Sequence, residues 1–175
     1  MNTLKVLSRY AFIFMALFLA ACENDDESSD GGDDPAATGE EFVTAKIDGV
    51  DYAAAQEPAV IVGATVEGGV FAVQGGTNEG ETIRITINGY DGPGTYVTGD
   101  EVTNGSSLMY VTLTPVATWM NGGVTALVDG VGTGTIEVTS DADGVVEGTF
   151  SFKGYNAEDM TIKEFTEGKF KAIID

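Results

Sequence analysis

The sequence predicts an all-β domain, an antiparallel meander closed into a β-sandwich or a flattened barrel. Three observations carry the prediction. Apolar residues recur with period two along most of residues 42–175. Glycine is abundant but aperiodic: 21 of the 24 glycines fall in this region, mostly between the alternating runs. No stretch carries a helical apolar stripe of useful length.

The elements follow in order. Asp48-Gly49, between Ile47 and Val50, is a strong two-residue hairpin signal. Glu67-Gly68-Gly69 parts residues 59–66 from 70–74, and 60–66 is apolar on both faces, as a central strand would be. Ile83, Ile85 and Ile87 alternate with polar residues, and so do Met109, Val111 and Leu113. Asp91-Gly92-Pro93-Gly94 breaks the chain before Thr95-Tyr96-Val97. Ile136 and Val138 alternate with Thr135, Glu137 and Thr139. Asp141-Ala142-Asp143-Gly144 then turns into Val146, Gly148, Phe150 and Phe152. One helical turn is expected near 155–159. Thr166-Glu167-Gly168 reads as the turn before a last strand with Phe170, Ala172 and Ile174. About ten strands at 8–12-residue spacing result.

Ahead of this domain stand two other segments. Residues 1–21 read as a cleaved signal peptide: Lys5 and Arg9 are basic, 10–19 is almost wholly apolar, and small residues precede Cys22. The apolar run is shorter than the roughly 20 residues a spanning helix needs. Leu19-Ala20-Ala21-Cys22 resembles the lipobox of bacterial lipoproteins. The resemblance implies a diacylglyceryl group on the Cys22 thiol, cleavage before Cys22 and acylation of the new amine, with palmitate as a typical chain. Two or more chains would give a stable anchor at about 0.8 kcal/mol per buried methylene. Cys22 is the only cysteine, so lipidation leaves no thiol for a disulfide, a zinc site or a nucleophile.

Residues 22–41 comprise this cysteine and an acidic run with nine acids and no base, read as a disordered tether. As a flexible coil it would span on the order of 25 Å, with a ceiling of about 65 Å when extended. Glu23-Asn24-Asp25-Asp26-Glu27 resembles the surface-export signals of Bacteroidota lipoproteins. It implies an outer-membrane, surface-facing protein; a periplasm-facing one is the alternative.

Residues 42–175 hold 19 acids against six bases, a net charge of −13. Nucleic acid is excluded as a partner because the phosphate term would be repulsive. The chain has no histidine, which removes Ser-His-Asp catalysis, histidine-bound metals and a base poised near neutrality. No cofactor motif is present. Gly130-Val131-Gly132-Thr133-Gly134 lacks the Lys-Ser/Thr of a phosphate loop and reads as a turn before a strand. Asp141, Asp143 and Glu147 match part of a calcium loop, but the remaining ligands are out of register, so no metal site is assigned.

Trp119, the only tryptophan, lies in Pro115-Val116-Ala117-Thr118-Trp119-Met120-Asn121-Gly122-Gly123, where alternation is weak and a loop is expected. Two roles fit it: a core ring sealing one end of the domain, or a ligand contact shared with Tyr90, Tyr96 and Tyr110.

A resemblance covers most of 42–175. It rests on Phe42-Val43-Thr44-Ala45-Lys46-Ile47-Asp48-Gly49-Val50-Asp51-Tyr52, on Asn88-Gly89-Tyr90 with Gly94-Thr95-Tyr96, and on Gly148-Thr149-Phe150-Ser151-Phe152. The chain resembles small Bacteroidota lipoproteins that carry a domain of unknown function. The sequence therefore predicts a non-enzymatic, lipid-anchored envelope protein. Its partners are the membrane, through the lipid, and a glycan or an envelope protein. Two alternatives stand beside it: a barrel carrying a small apolar ligand, and a glycan hydrolase using two carboxylates roughly 5–10 Å apart.

Overall fold

The computed structural model describes residues 41–54 and 62–174. The expected signal peptide, Cys22, the expected tether through residue 40 and the first residues of the expected 60–66 strand lie outside the described residues. Eleven strands form one antiparallel sheet: β1 (Phe42–Ile47), β2 (Val50–Ala53), β3 (Gly63–Glu67), β4 (Val70–Gly76), β5 (Glu81–Asn88), β6 (Gly94–Thr98), β7 (Ser107–Leu113), β8 (Val116–Asn121), β9 (Gly134–Ala142), β10 (Val145–Tyr155) and β11 (Ile162–Ile173). The fold is all-β, and the sheet curls into a half-barrel. Among the described residues the helical structure is one 3-10 turn, Gly123–Leu127.

The pairing order is β2-β1-β11-β10-β8-β7-β5-β4-β3, with β9 and then β6 branching from β10. A parallel bridge between Ala64 and Ile174 brings the β3 end of this path back against the end of β11. Three hairpins turn through left-handed pairs: Asp48 and Gly49 (φ 52° and 83°), Gly68 and Gly69 (59° and 77°), and Asp143 and Gly144 (56° and 78°). Two consecutive positive φ angles match the twist of the flanking strands, which is why Asp-Gly and Gly-Gly stand there.

The inner face is filled by Phe71, Ile83, Ile85, Ile87, Leu108, Ile136, Phe165 and Phe170, each no more than 1% exposed. In β10 and β11, glycine and phenylalanine face each other across the ladder: Gly148 pairs with Phe170, and Phe150 with Gly168. A side chain at Gly148 would meet the Phe170 ring at 2.6 Å, so the absence of Cβ makes room for the ring.

Five expectations are corrected. Residues 155–159, expected as one helical turn, are the end of β10 at Tyr155 and a non-helical turn whose amides at Glu158 and Thr161 are bound by the side chains of Asn156 and Asp159. β3, expected to be central, ends the pairing order, with Thr65, Val66 and Glu67 exposed. β7 turns Leu108 and Tyr110 inward rather than Met109, Val111 and Leu113, because Ile85 and Ile83 are their cross-strand partners. Residues 166–168 are a bulge inside β11, not a turn between two strands: Phe150 pairs with Gly168, but Phe152 pairs with Phe165. Residues 116–121 are strand β8, not a loop.

The last correction has a clear cause. β8 points Trp119 and the polar Asn121 inward, so its apolar alternation is broken. Asn121 sits where the sheet forks. Its Nδ2 donates to the carbonyls of Gly132 and Lys153, both at 2.9 Å. Its Oδ1 accepts from Thr98 Oγ1 at 2.6 Å, and Thr98 Oγ1 accepts from the Gly134 amide. Where β9 leaves β10 and β8 takes over, the amide side chain satisfies backbone groups that the ladder leaves open.

Candidate functional site

The four aromatic candidates fall into two pairs, near opposite ends of β5. Tyr110 and Trp119 are cross-strand partners in β7 and β8, with ring centroids 5.7 Å apart. Tyr110 also packs on Phe165 (5.4 Å) and edge-on against Tyr52 (6.2 Å). Trp119 is 8% exposed and Tyr110 4%. Their polar atoms have fixed partners. Trp119 Nε1 donates to Thr161 Oγ1 at 2.9 Å, and Tyr110 Oη donates to Glu81 Oε1 at 2.6 Å. The Lys163 ammonium lies 5.0 Å from the Trp119 ring centroid and pairs with Asp48 at 3.1 Å.

Electrostatics at this end favours the charges and the neutral phenols as placed. Burial works against the Asp48 carboxylate, but the Glu164 amide and the Lys163 ammonium hold it below its usual range. Burial, reinforced by Glu81, pushes the Tyr110 phenol far above its ordinary value. Tyr52 is raised mainly by burial; its hydroxyl donates to the Gly75 carbonyl and accepts from the Ile83 amide.

Tyr90 and Tyr96 form the other pair, 5.8 Å apart, beyond the far end of β5. They end a row of rings that starts in the core: Phe170 lies against Phe71, Phe71 stacks on Tyr90 at 5.1 Å, and Tyr90 meets Tyr96. Both tyrosines are half-buried. Tyr90 Oη donates to Asp141 Oδ2 at 2.7 Å. Tyr96 Oη lies 2.7 Å from the Gly92 carbonyl and 3.0 Å from Asp91 Oδ1, and accepts from the Asp91 amide. Burial and then Asp141 raise the Tyr90 phenol well above its usual range, and burial raises Tyr96.

The calcium-loop candidates do not converge. Asp141 holds Tyr90, Glu147 pairs with Lys171 at 2.9 Å, and Asp143 stands in the hairpin turn. Among the described residues no three acidic side chains gather as a metal site would require.

Residues 40–173 match the family described as a domain of unknown function, DUF6252. The chain belongs to that family. No curated protein matches the chain, and no solved structure does.

The DUF6252 domain also carries an outer groove of about 450 Å³ across β9, β10 and β11, which sequence reasoning missed. Its walls are the outward residues Thr135 and Glu137, Thr149 and Ser151, and Glu167 and Lys169. Glu137, Thr149 and Lys169 form one cross-strand row. In the next row, Ser151 pairs with Thr135 on one side and faces the β11 bulge on the other. The extra residue of a bulge bends a strand, and the depression lies at that place. Glu167 sits in the bulge at φ 53°, a left-handed conformation rare for a long side chain, and its carboxylate pairs with Lys46 of β1 at 2.9 Å. The sequence signal was present in Thr166-Glu167-Gly168, but a bulge and a turn share that composition.

Proposed function

We propose that the chain is a lipoprotein of the bacterial cell envelope, of the Bacteroidota type, anchored at the outer membrane through Cys22 and facing the cell surface. Its domain acts by binding or display rather than by catalysis. The anchor rests on Leu19-Ala20-Ala21-Cys22 behind the apolar leader, and the surface orientation on the acidic run that follows. Membrane contact is through lipid. The remaining partner is a glycan or an envelope protein, and the net charge of −13 after residue 41 disfavours nucleic acid.

The observation that carries the binding-or-display reading is the filled interior. Rings and branched chains from β4, β5, β7, β9, β10 and β11 meet inside the curl with at most 1% exposure. That packing favours an outward-acting module over a carrier that would hold an apolar ligand within. The carboxylates nearest the aromatic pairs, Glu81, Asp91 and Asp141, each lie within hydrogen-bond reach of a tyrosine hydroxyl, and Glu167 of the outer groove is ion-paired with Lys46, framework roles that favour binding over a hydrolytic acid pair.

Labelled palmitate fed to expressing cells tests the anchor. The wild-type chain should take up label, and Cys22→Ala should not; equal labelling of both would refute the proposal. Protease treatment of intact cells then reads the orientation. A surface-facing domain is cleaved, whereas a periplasm-facing one survives.

A further inference from the structure

We propose that the outer groove on β9, β10 and β11 is a binding site for a neutral saccharide chain. The inference rests on the binding reading above and names its site and ligand class.

The chemistry of the walls selects the ligand. Thr135, Thr149 and Ser151 present hydroxyls, which donate and accept alike. Glu137 and Glu167 add acceptors, and Lys169 lines the same groove. A saccharide offers hydroxyls in both roles, with C–H faces that pack on threonine methyls and lysine methylenes. A polyanion meets two carboxylates at the walls and a domain of net charge −13. An extended peptide finds no ladder to join, because β10 is paired to β9 on one side and β11 on the other.

The groove's size and frame fit the same role. Its volume of about 450 Å³ lies within the range of small-molecule sites, roughly 300–1,000 Å³. Its floor is the Phe150–Gly168 cross-strand pair of the main sheet, so the walls stand on rigid strands. Glu167 gives the groove an acceptor held in place. A side chain kept at φ 53° next to a glycine carries strain that a glycine in its place would not. The Lys46 ion pair and the bulge together fix that carboxylate at the groove's β1-side wall.

Isothermal titration of the purified full-length lipoprotein, in a detergent without a sugar headgroup, tests the site. The probes are cellohexaose, laminarihexaose, maltohexaose and mannohexaose, with polygalacturonate as the charged comparison. At least one neutral hexasaccharide should bind and polygalacturonate should not. Ser151→Trp, which fills the groove from an exposed position, should weaken binding by about tenfold or more. Glu137→Gln keeps the shape and should weaken it by about tenfold through loss of a charged acceptor. Tyr96→Phe, at the other aromatic end, should bind as wild type. The proposal is overturned by failure of all four probes to bind. Full binding by a folded Ser151→Trp together with Glu137→Gln overturns it, and so does loss on Tyr96→Phe alone or preference for polygalacturonate. Hexasaccharide binding that survives both groove substitutions would sink the groove and leave the binding reading standing, whereas no binding by any probe removes the support for both, so the two failures are distinguishable.

Discussion

The two aromatic ends of the domain are built from the same residue types and do different work. At the Trp119 end, the rings of Tyr52, Tyr110 and Trp119 lie beneath the surface, and each polar atom is tied to a partner from another strand or loop. At the Tyr90 end, a row of rings climbs from Phe170 to Tyr96 and reaches solvent half-exposed, with hydroxyls held by turn residues. The first end locks β2, β5, β7, β8 and β11 together. The second pins two turns, at 89–94 and at 141–144, onto a finished core. Aromatic identity alone therefore does not mark a contact surface; what the ring's two faces and its polar atom already touch decides the matter.

The comparison breaks first at Trp119. Trp119→Ala should cost about 3–5 kcal/mol in chemical denaturation, because it removes a buried ring and orphans its Thr161 and Lys163 contacts. Tyr96→Ala, at the half-exposed end, should cost clearly less. Equal losses would erase the distinction between frame and surface.

Alkaline pH sharpens it next. Tyr52, Tyr90 and Tyr110 all have phenols raised above the ordinary value near 10. The folded state thus holds these protons more tightly than the unfolded chain does. Their contribution is complete below about pH 10 and is lost as pH rises beyond it. Denaturation midpoints measured from pH 8 to 11.5 should fall at the alkaline end. A flat profile would contradict the phenol environments described above.

The smallest effects separate the two hydroxyls. Tyr110→Phe should cost about 1.5 kcal/mol, since Glu81 loses a charge-assisted bond in a half-buried setting. Tyr90→Phe should cost under about 1 kcal/mol, because Asp141 is exposed and water replaces the lost donor. The reverse order in paired melts would mean that the ends have been misassigned.

Much of the fold was legible in the sequence for reasons the structure makes plain. Ile83, Ile85 and Ile87, the Asp48-Gly49 and Asp143-Gly144 turns, and the Val146-to-Phe152 alternation each obey one local rule, and each stands where that rule put it. Reading failed where a tertiary demand overrode the local one. Asn121 points inward because the fork needs its amide, and this hid β8. The facing of β7 is set by the isoleucines of β5 rather than by its own apolar residues. At the site level, the pairing of Tyr90 with Tyr96 and of Tyr110 with Trp119 depends on how the sheet curls. The outer groove depends on a register shift at 166–167. Neither can be read from spacing along one strand.

The most direct test uses the fact that Trp119 is the only tryptophan, so the intrinsic indole fluorescence of the full chain reports this one position. The account predicts a blue-shifted native emission that acrylamide quenches weakly, with a red shift and free quenching appearing together only at global unfolding. A red-shifted, readily quenched indole in the folded protein would contradict it, because Trp119 would then lie at the surface and not in the frame.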